Sequence, residues 1–132
     1  MEYTVLMQLA EKARENAYAP YSHFRVGAAI LCTNGKVYTG CNVENASYGG
    51  TVCAERTAML KAISEGEREF AAIAITGAKE GEKGGFCAPC GICRQFLAEF
   101  CGEDTDVILG SEEKLSVYKL SELLPLGFSL PD

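Results

Sequence analysis

Four side chains in two short segments have the types and spacing to build a reaction centre. Cys53 and Glu55 stand two apart in Thr51-Val52-Cys53-Ala54-Glu55-Arg56, and Cys90 and Cys93 stand three apart in Pro89-Cys90-Gly91-Ile92-Cys93-Arg94-Gln95. Three thiolates suit a tetrahedral zinc ion. With three protein ligands the fourth position stays open for water, as in catalytic rather than closed structural sites. Glu55 is then a spare carboxylate that can move protons for that water. On a helix, Cys90 and Cys93 share one face, so both sulfurs can point at one metal. At a helix N-terminus they also meet unbonded N–H groups and the positive end of the dipole, which favour the thiolate. Three thiolates on a dication leave a net negative charge, which Arg56 and Arg94, directly after ligands, could offset by donating to the sulfurs.

The same residues admit other readings. Cys-x-x-Cys alone serves a thiol–disulfide redox pair as readily as a metal. Glu55 could be a first-turn glutamate that complements the dipole, and either arginine a solvated helix residue. Cys87 forms a second Cys-x-x-Cys with Cys90, so a closed structural site of Cys53, Cys87, Cys90 and Cys93 is a rival from another class. Pro89 favours the register Cys90/Cys93, because proline suits the first turn of a helix and leaves Cys87 in extended chain. His23, the only histidine, lies far from both segments and is not taken as a ligand.

The elements that must position these groups follow from periodicity. Val5, Leu6, Leu9, Ala10 and Ala13 make one face of a first helix, ended by Pro20. Arg25 to Cys32 is an apolar run of strand character, and Thr33-Asn34-Gly35-Lys36 marks a hairpin into a second strand, 37–43. Ser47-Tyr48-Gly49-Gly50 is a flexible lead into a helix over 51–63, stopped by Gly66. Phe70 to Thr76 reads as a strand buried on both faces. Residues 77–85 read as a mobile polar loop; its glycines lack the Gly-Lys-Ser/Thr of a phosphate loop. A helix from about Cys90 to Phe100, strands at 107–109 and 115–120, a short helix capped by Ser121 and closed by Pro125, and a tail of 126–132 complete the chain. Strands mixed with helices predict an α/β fold, a mixed sheet of about five strands covered on both faces.

Bulk properties exclude several function classes. At 132 residues the chain is expected to be one domain, 1–132, large enough for its own core. No apolar run is long enough for a bilayer, and Met1-Glu2-Tyr3-Thr4 has no basic lead into an apolar stretch, so no membrane partner is expected. A formal charge of −6 argues against binding a phosphate backbone, hence against nucleic acid. Seven cysteines, an odd number, fit a disulfide framework poorly and point to a reducing, cytoplasmic setting.

The chain resembles the cytidine deaminase family, whose zinc signature pairs a ligand two residues before a glutamate with Pro-Cys-x-x-Cys. The resemblance rests also on 21–29 (YSHFRVGAA), 40–48 (GCNVENASY) and 123–128 (LLPLGF), and spans nearly the whole chain. It is closest to the small homotetrameric class with three cysteine ligands and a three-layer α/β/α fold. It implies one Zn²⁺ per subunit on Cys53, Cys90 and Cys93, with Glu55 as proton shuttle. It implies that Phe24 stacks on the pyrimidine, that Asn42 and Glu44 bond the ribose hydroxyls, and that the Ala54 N–H holds the base carbonyl. Ala46, Tyr48 and Phe128 are implied to act across a subunit boundary, completing a neighbour's site. The implied reaction is hydrolytic deamination at C4, with cytidine and 2′-deoxycytidine giving uridine and 2′-deoxyuridine in pyrimidine salvage. A deaminase for a blasticidin-type nucleoside antibiotic is the nearest enzymatic rival; the stretch 42–47 favours the plain nucleoside.

Overall fold

A computed structural model describes residues 1–131; Asp132, the end of the expected tail, lies outside the described residues. A five-stranded sheet in the order β2-β1-β3-β4-β5 forms its centre. Its strands are β1 (Phe24–Cys32), β2 (Val37–Cys41), β3 (Phe70–Lys79), β4 (Asp106–Ser111) and β5 (Lys114–Lys119). β1 runs antiparallel to β2 and β3, β3 and β4 are parallel, and β5 returns antiparallel to β4.

Alternation along the central strands sorts side chains into two clusters. Ala28, Ile30, Ile73, Ile75, Val107 and Leu109 face α2 (Ala54–Ser64) and α3 (Gly91–Phe100). Ala29, Ala72, Ala74 and Ile108 face α1 (Tyr3–Arg14) on the opposite side. The result is three layers, helix on sheet on helix. The first cluster is rich in branched side chains, whereas the second is mostly alanine, so α1 lies close to the sheet. At Gly27 a Cβ would overlap the Ala10 carbonyl oxygen and come within 2.7 Å of the Arg14 nitrogen. Only glycine admits the helix there.

Both remaining long helices are crossovers. β2–α2–β3 and β3–α3–β4 each join strands of the same direction, which places the N-termini of α2 and α3 at the carboxyl ends of the strands before them. That end of an open α/β sheet is where ligands bind. No helix among the described residues is long and apolar enough to cross a membrane.

Several expectations need correction. The α1 core face is Leu6, Met7 and Ala10, with Val5 exposed, so the stripe is rotated by one residue from the one expected. The hairpin turn has φ +91° at Gly35 but no positive φ at Asn34. Asn34 instead uses its side chain to accept from the Lys36 N–H, the local bonding that draws asparagine into turns. The second strand stops at Cys41 because the Asn42 side chain turns inward to bond β1. β3 extends three residues beyond Thr76: Gly77, Ala78 and Lys79 pair with β1, so only the tip of 77–85 is loop. The last helix, α4 (Leu120–Leu123), is capped by Lys119 rather than Ser121, with the Glu122 side chain accepting from the Lys119 N–H.

Candidate active site

The segment before α2 is held straight by a bridge. Val43 and Val52 exchange two backbone hydrogen bonds, each 2.9 Å, which keeps Thr51 to Cys53 extended and delays the helix to Ala54. Cys53 is therefore the N-cap of α2 (φ −72°, ψ 157°), not a residue inside it. Cys90 is likewise the N-cap of α3 (φ −67°, ψ 168°), and its sulfur accepts from the Cys93 N–H at 3.4 Å. Two helix N-termini thus converge on one place, each ending in a sulfur. The distance of α2 from the sheet is set at Gly40, where a Cβ would lie 2.5 Å from the Ala58 nitrogen and 2.8 Å from the Ala54 oxygen. α2 consequently rests directly on β2.

The sulfurs of Cys53, Cys90 and Cys93 lie within 4.8 Å of one another, with Cys53 and Cys90 4.0 Å apart. A tetrahedral zinc with its usual bond lengths places two sulfurs about 3.8 Å apart, so the donor set fits that ion in kind and spacing. Arg56 donates to the Cys53 sulfur at 3.6 Å and to the Thr51 carbonyl at 3.2 Å. The bond from Cys93 and then Arg56 pull the Cys53 thiol down to about 5, while its bond to Cys53 and burial drive Cys93 upward. Without a cation, three sulfurs so close share their protons unequally.

Glu55 is 4% exposed and forms no ion pair among the described residues. Burial pushes its carboxyl upward, and the neighbouring Cys53 adds to the effect. A buried carboxyl beside three clustered sulfurs is what metal-assisted proton transfer requires. Cys87 is outside the sulfur cluster; burial, then Glu55 and Cys53, raise its thiol to about 11. A fourth sulfur for a closed site is not at hand among the described residues.

With the geometry in view, likeness to known proteins decides the family. Residues 1–110 match the model of the cytidine and deoxycytidylate deaminase zinc-binding region. The chain belongs to that family. Zinc is the ion of its binding region, and Cys53, Cys90 and Cys93 are the cluster placed to take it. The chain is 48% identical to the cytidine deaminase of Halalkalibacterium halodurans, over 100% of this chain and 98% of that protein. It is 47% identical to the cytidine deaminase of Sporosarcina psychrophila, over 100% and 95%. Its fold is similar to the crystal structure of cytidine deaminase from Burkholderia pseudomallei, with a TM-score of 0.89, 47% identity, and 97% and 100% of the two chains covered.

The remaining family-motif residues fall into three places. Asn42, buried, spends its carboxamide on β1: Oδ1 accepts from the Val26 N–H at 2.9 Å and Nδ2 donates to the Phe24 carbonyl at 2.8 Å. It thereby fixes the backbone of Phe24. Glu44 accepts from the Tyr21 N–H at 3.0 Å, the Ser22 N–H at 3.1 Å and the Ser22 hydroxyl. The bond from that hydroxyl leads in holding its carboxyl below the usual range. Glu44 and Tyr48 share a cavity of about 390 Å³ with Tyr21, Ser22 and Thr51. Ala54 is buried as the first residue of α2, where an N–H has no acceptor within the helix.

Ala46, Tyr48 and Phe128 are exposed, the last two at 77% and 65%. Phe128 exchanges hydrogen bonds with the Gln95 side chain, 2.6 and 3.2 Å. It lines a larger apolar cavity along α3, about 630 Å³, apart from the one that Glu44 and Tyr48 line. Arg94 departs from its expected role. It donates to the carbonyls of Pro89 and Leu123, both at 2.8 Å, tying the chain before Cys90 to the end of α4. Ser22 was missed in the sequence; a hydroxyl in an exposed turn carries no signal until the fold brings Glu44 to it.

Proposed function

We propose that the chain catalyses the hydrolytic deamination of cytidine and 2′-deoxycytidine to uridine and 2′-deoxyuridine with release of ammonia, a step of pyrimidine salvage. One observation carries this reading: a buried Glu55, without an ion-pair partner among the described residues, beside three sulfurs that fit zinc at the meeting point of two helix N-termini. When bound by Cys53, Cys90 and Cys93, zinc supplies Lewis acidity and water acidic enough to act as nucleophile near neutral pH. Glu55 would take one proton from that water and deliver it to ring N3 as the hydroxide adds to C4. It would then take the proton of the new C4 hydroxyl and pass it to the amino group, so that the C–N bond breaks, ammonia leaves and the C4 carbonyl of uridine remains. Its burial keeps bulk water from competing for the proton. Arg56 donates to the Cys53 sulfur and the Cys93 N–H to the Cys90 sulfur, contacts that would draw off thiolate charge and leave a bound zinc electrophilic. The free N–H at Ala54 suits the base carbonyl, the Phe24 ring a flat pyrimidine, and the Asn42–Glu44 segment a ribose.

Homotetramer formation with shared sites belongs to the same reading. Its support is the exposure of Tyr48 and Phe128 and their placement on separate cavities of one chain. One domain over 1–132 is supported by the single continuous sheet. A cytoplasmic location is supported by seven free cysteines, three of them needed as thiolates.

The test is the ultraviolet absorbance of cytidine together with ammonia release, using zinc-loaded protein with and without a chelator. Stoichiometric uridine and ammonia, lost on chelation and regained with zinc, are expected. A zinc-loaded protein inert toward both nucleosides would overturn the reading.

A further inference from the structure

The stretch 77–85, by sequence a polar loop without chemistry, carries a contact that the reaction as described leaves unused. Gly77 and Gly85 exchange two backbone hydrogen bonds, 3.1 and 3.0 Å, which fold the chain after the loop tip back onto the end of β3. Cys87 is thereby laid against Gly77. The Phe24 ring reaches the same spot from β1, since Val26 is the residue paired with Gly77 and Phe24 sits two residues before it on the same face. A Cβ at Gly77 would stand 3.0 Å from each of three atoms: Cβ and Sγ of Cys87, and Cε1 of Phe24. All three belong to side chains.

We propose that Gly77 is a positioning residue for the base: the space left by its missing side chain is the seat in which the Phe24 ring and Cys87 come together. The inference rests on the deaminase reading, in which Phe24 stacks on the pyrimidine. Phe24 is anchored at its backbone by Asn42 and at its ring by Gly77 and Cys87. Cys87 is also three residues before the ligand Cys90 and close enough to Glu55 and Cys53 to feel their charge. The seat therefore ties the ring platform to the segment that brings in two of the three sulfurs of the metal site. A glycine inside a strand ordinarily marks a close approach of this kind.

Gly77→Ala is the direct test. The atoms that must give way are side chains, so the strand is expected to persist and zinc content to match wild type. A displaced ring weakens stacking, which predicts a KM for cytidine roughly three- to tenfold higher, with kcat within about twofold. Gly85→Ala, the bridge partner with nothing within 4 Å of its Cβ position, is expected to leave KM unchanged. Adding Cys87→Gly to Gly77→Ala removes two of the three opposing atoms and should return KM most of the way, a coupling that independent sites do not show. A folded, zinc-loaded Gly77→Ala protein with wild-type KM overturns the proposal, as does a KM rise that Cys87→Gly leaves unaltered. Should Gly77→Ala not fold, Cys87→Gly alone decides: the gap behind the ring must raise KM with zinc retained, and an unchanged KM is refutation. Wild-type protein without cytidine turnover would fail earlier, at the deaminase reading itself.

Discussion

Glu55 and Arg56 adjoin in sequence yet do separable work, and substitution can tell them apart. Glu55→Gln keeps the shape of the side chain and removes its basicity. Zinc content should stay at wild type while kcat falls roughly 10²–10⁴-fold, the range for a lost general acid–base; normal turnover would remove Glu55 from the reaction. Arg56→Gln leaves the carboxylate in place but takes away the donor to the Cys53 sulfur. The expected loss is about 10–100-fold in zinc affinity or activity, measured by metal competition alongside turnover. At this scale the sequence was most legible. Ligand residue types and spacing are set by coordination chemistry, so Cys53, Glu55, Cys90 and Cys93 stood out before any fold was known. Arg94 did not follow, because one of its acceptors, the Leu123 carbonyl, is brought to it by the path of the chain after β5, which local spacing does not encode.

Elements decide whether those residues meet. The N-terminal start of α2 depends on a backbone bridge between Val43 and Val52, a pairing across a loop that periodicity cannot register, which is why the helix was expected three residues early. The same reason hid the end of β3: glycines at 77 and 85 read as loop, yet here they permit close pairing. Strand and helix existence, by contrast, was readable from apolar spacing. α1, which covers the back of the sheet, offers a pH test of how one element is fastened. The Tyr3 hydroxyl donates to Asp106 on β4, and that bond, with burial and the nearby carboxylate, raises the phenol to about 12. A raised value means the protonated form is favoured by folding. Its contribution is therefore complete below the ordinary tyrosine value near 10 and disappears as pH climbs through about 12. Tyr3→Phe should lower stability by roughly 1 kcal/mol at neutral pH. In thermal melts its gap from wild type should hold steady from neutral pH to pH about 10 and close toward pH about 12. A gap that persists at the alkaline end would show that packing, not the hydrogen bond, fastens the helix.

The whole molecule raises a question that a single chain leaves open in its geometry. Glu44 and Tyr48 line one cavity, and Phe128 another along α3, whereas Glu44 is expected at its own chain's ribose and Tyr48 and Phe128 at a neighbour's site. Large exposed aromatics are unfavourable in water unless something covers them, and a neighbouring subunit reconciles both facts: Phe128 of one copy would close the nucleoside site of the next. Size measurement alone would report assembly without showing shared sites, so the sharper test is complementation. Phe128→Ala should raise KM for cytidine roughly tenfold through lost aromatic contact. Glu55→Gln should be nearly inactive yet keep its Phe128. In co-assembled mixtures, some sites combine the intact Glu55 of the first variant with the Phe128 of the second. Those sites should turn over cytidine with a KM near wild type, a kinetic phase present in neither variant alone. If each Phe128 serves only its own chain, the mixture shows just the diluted high-KM activity of Phe128→Ala. That outcome would leave the exposed ring as part of an interface without a place in the reaction.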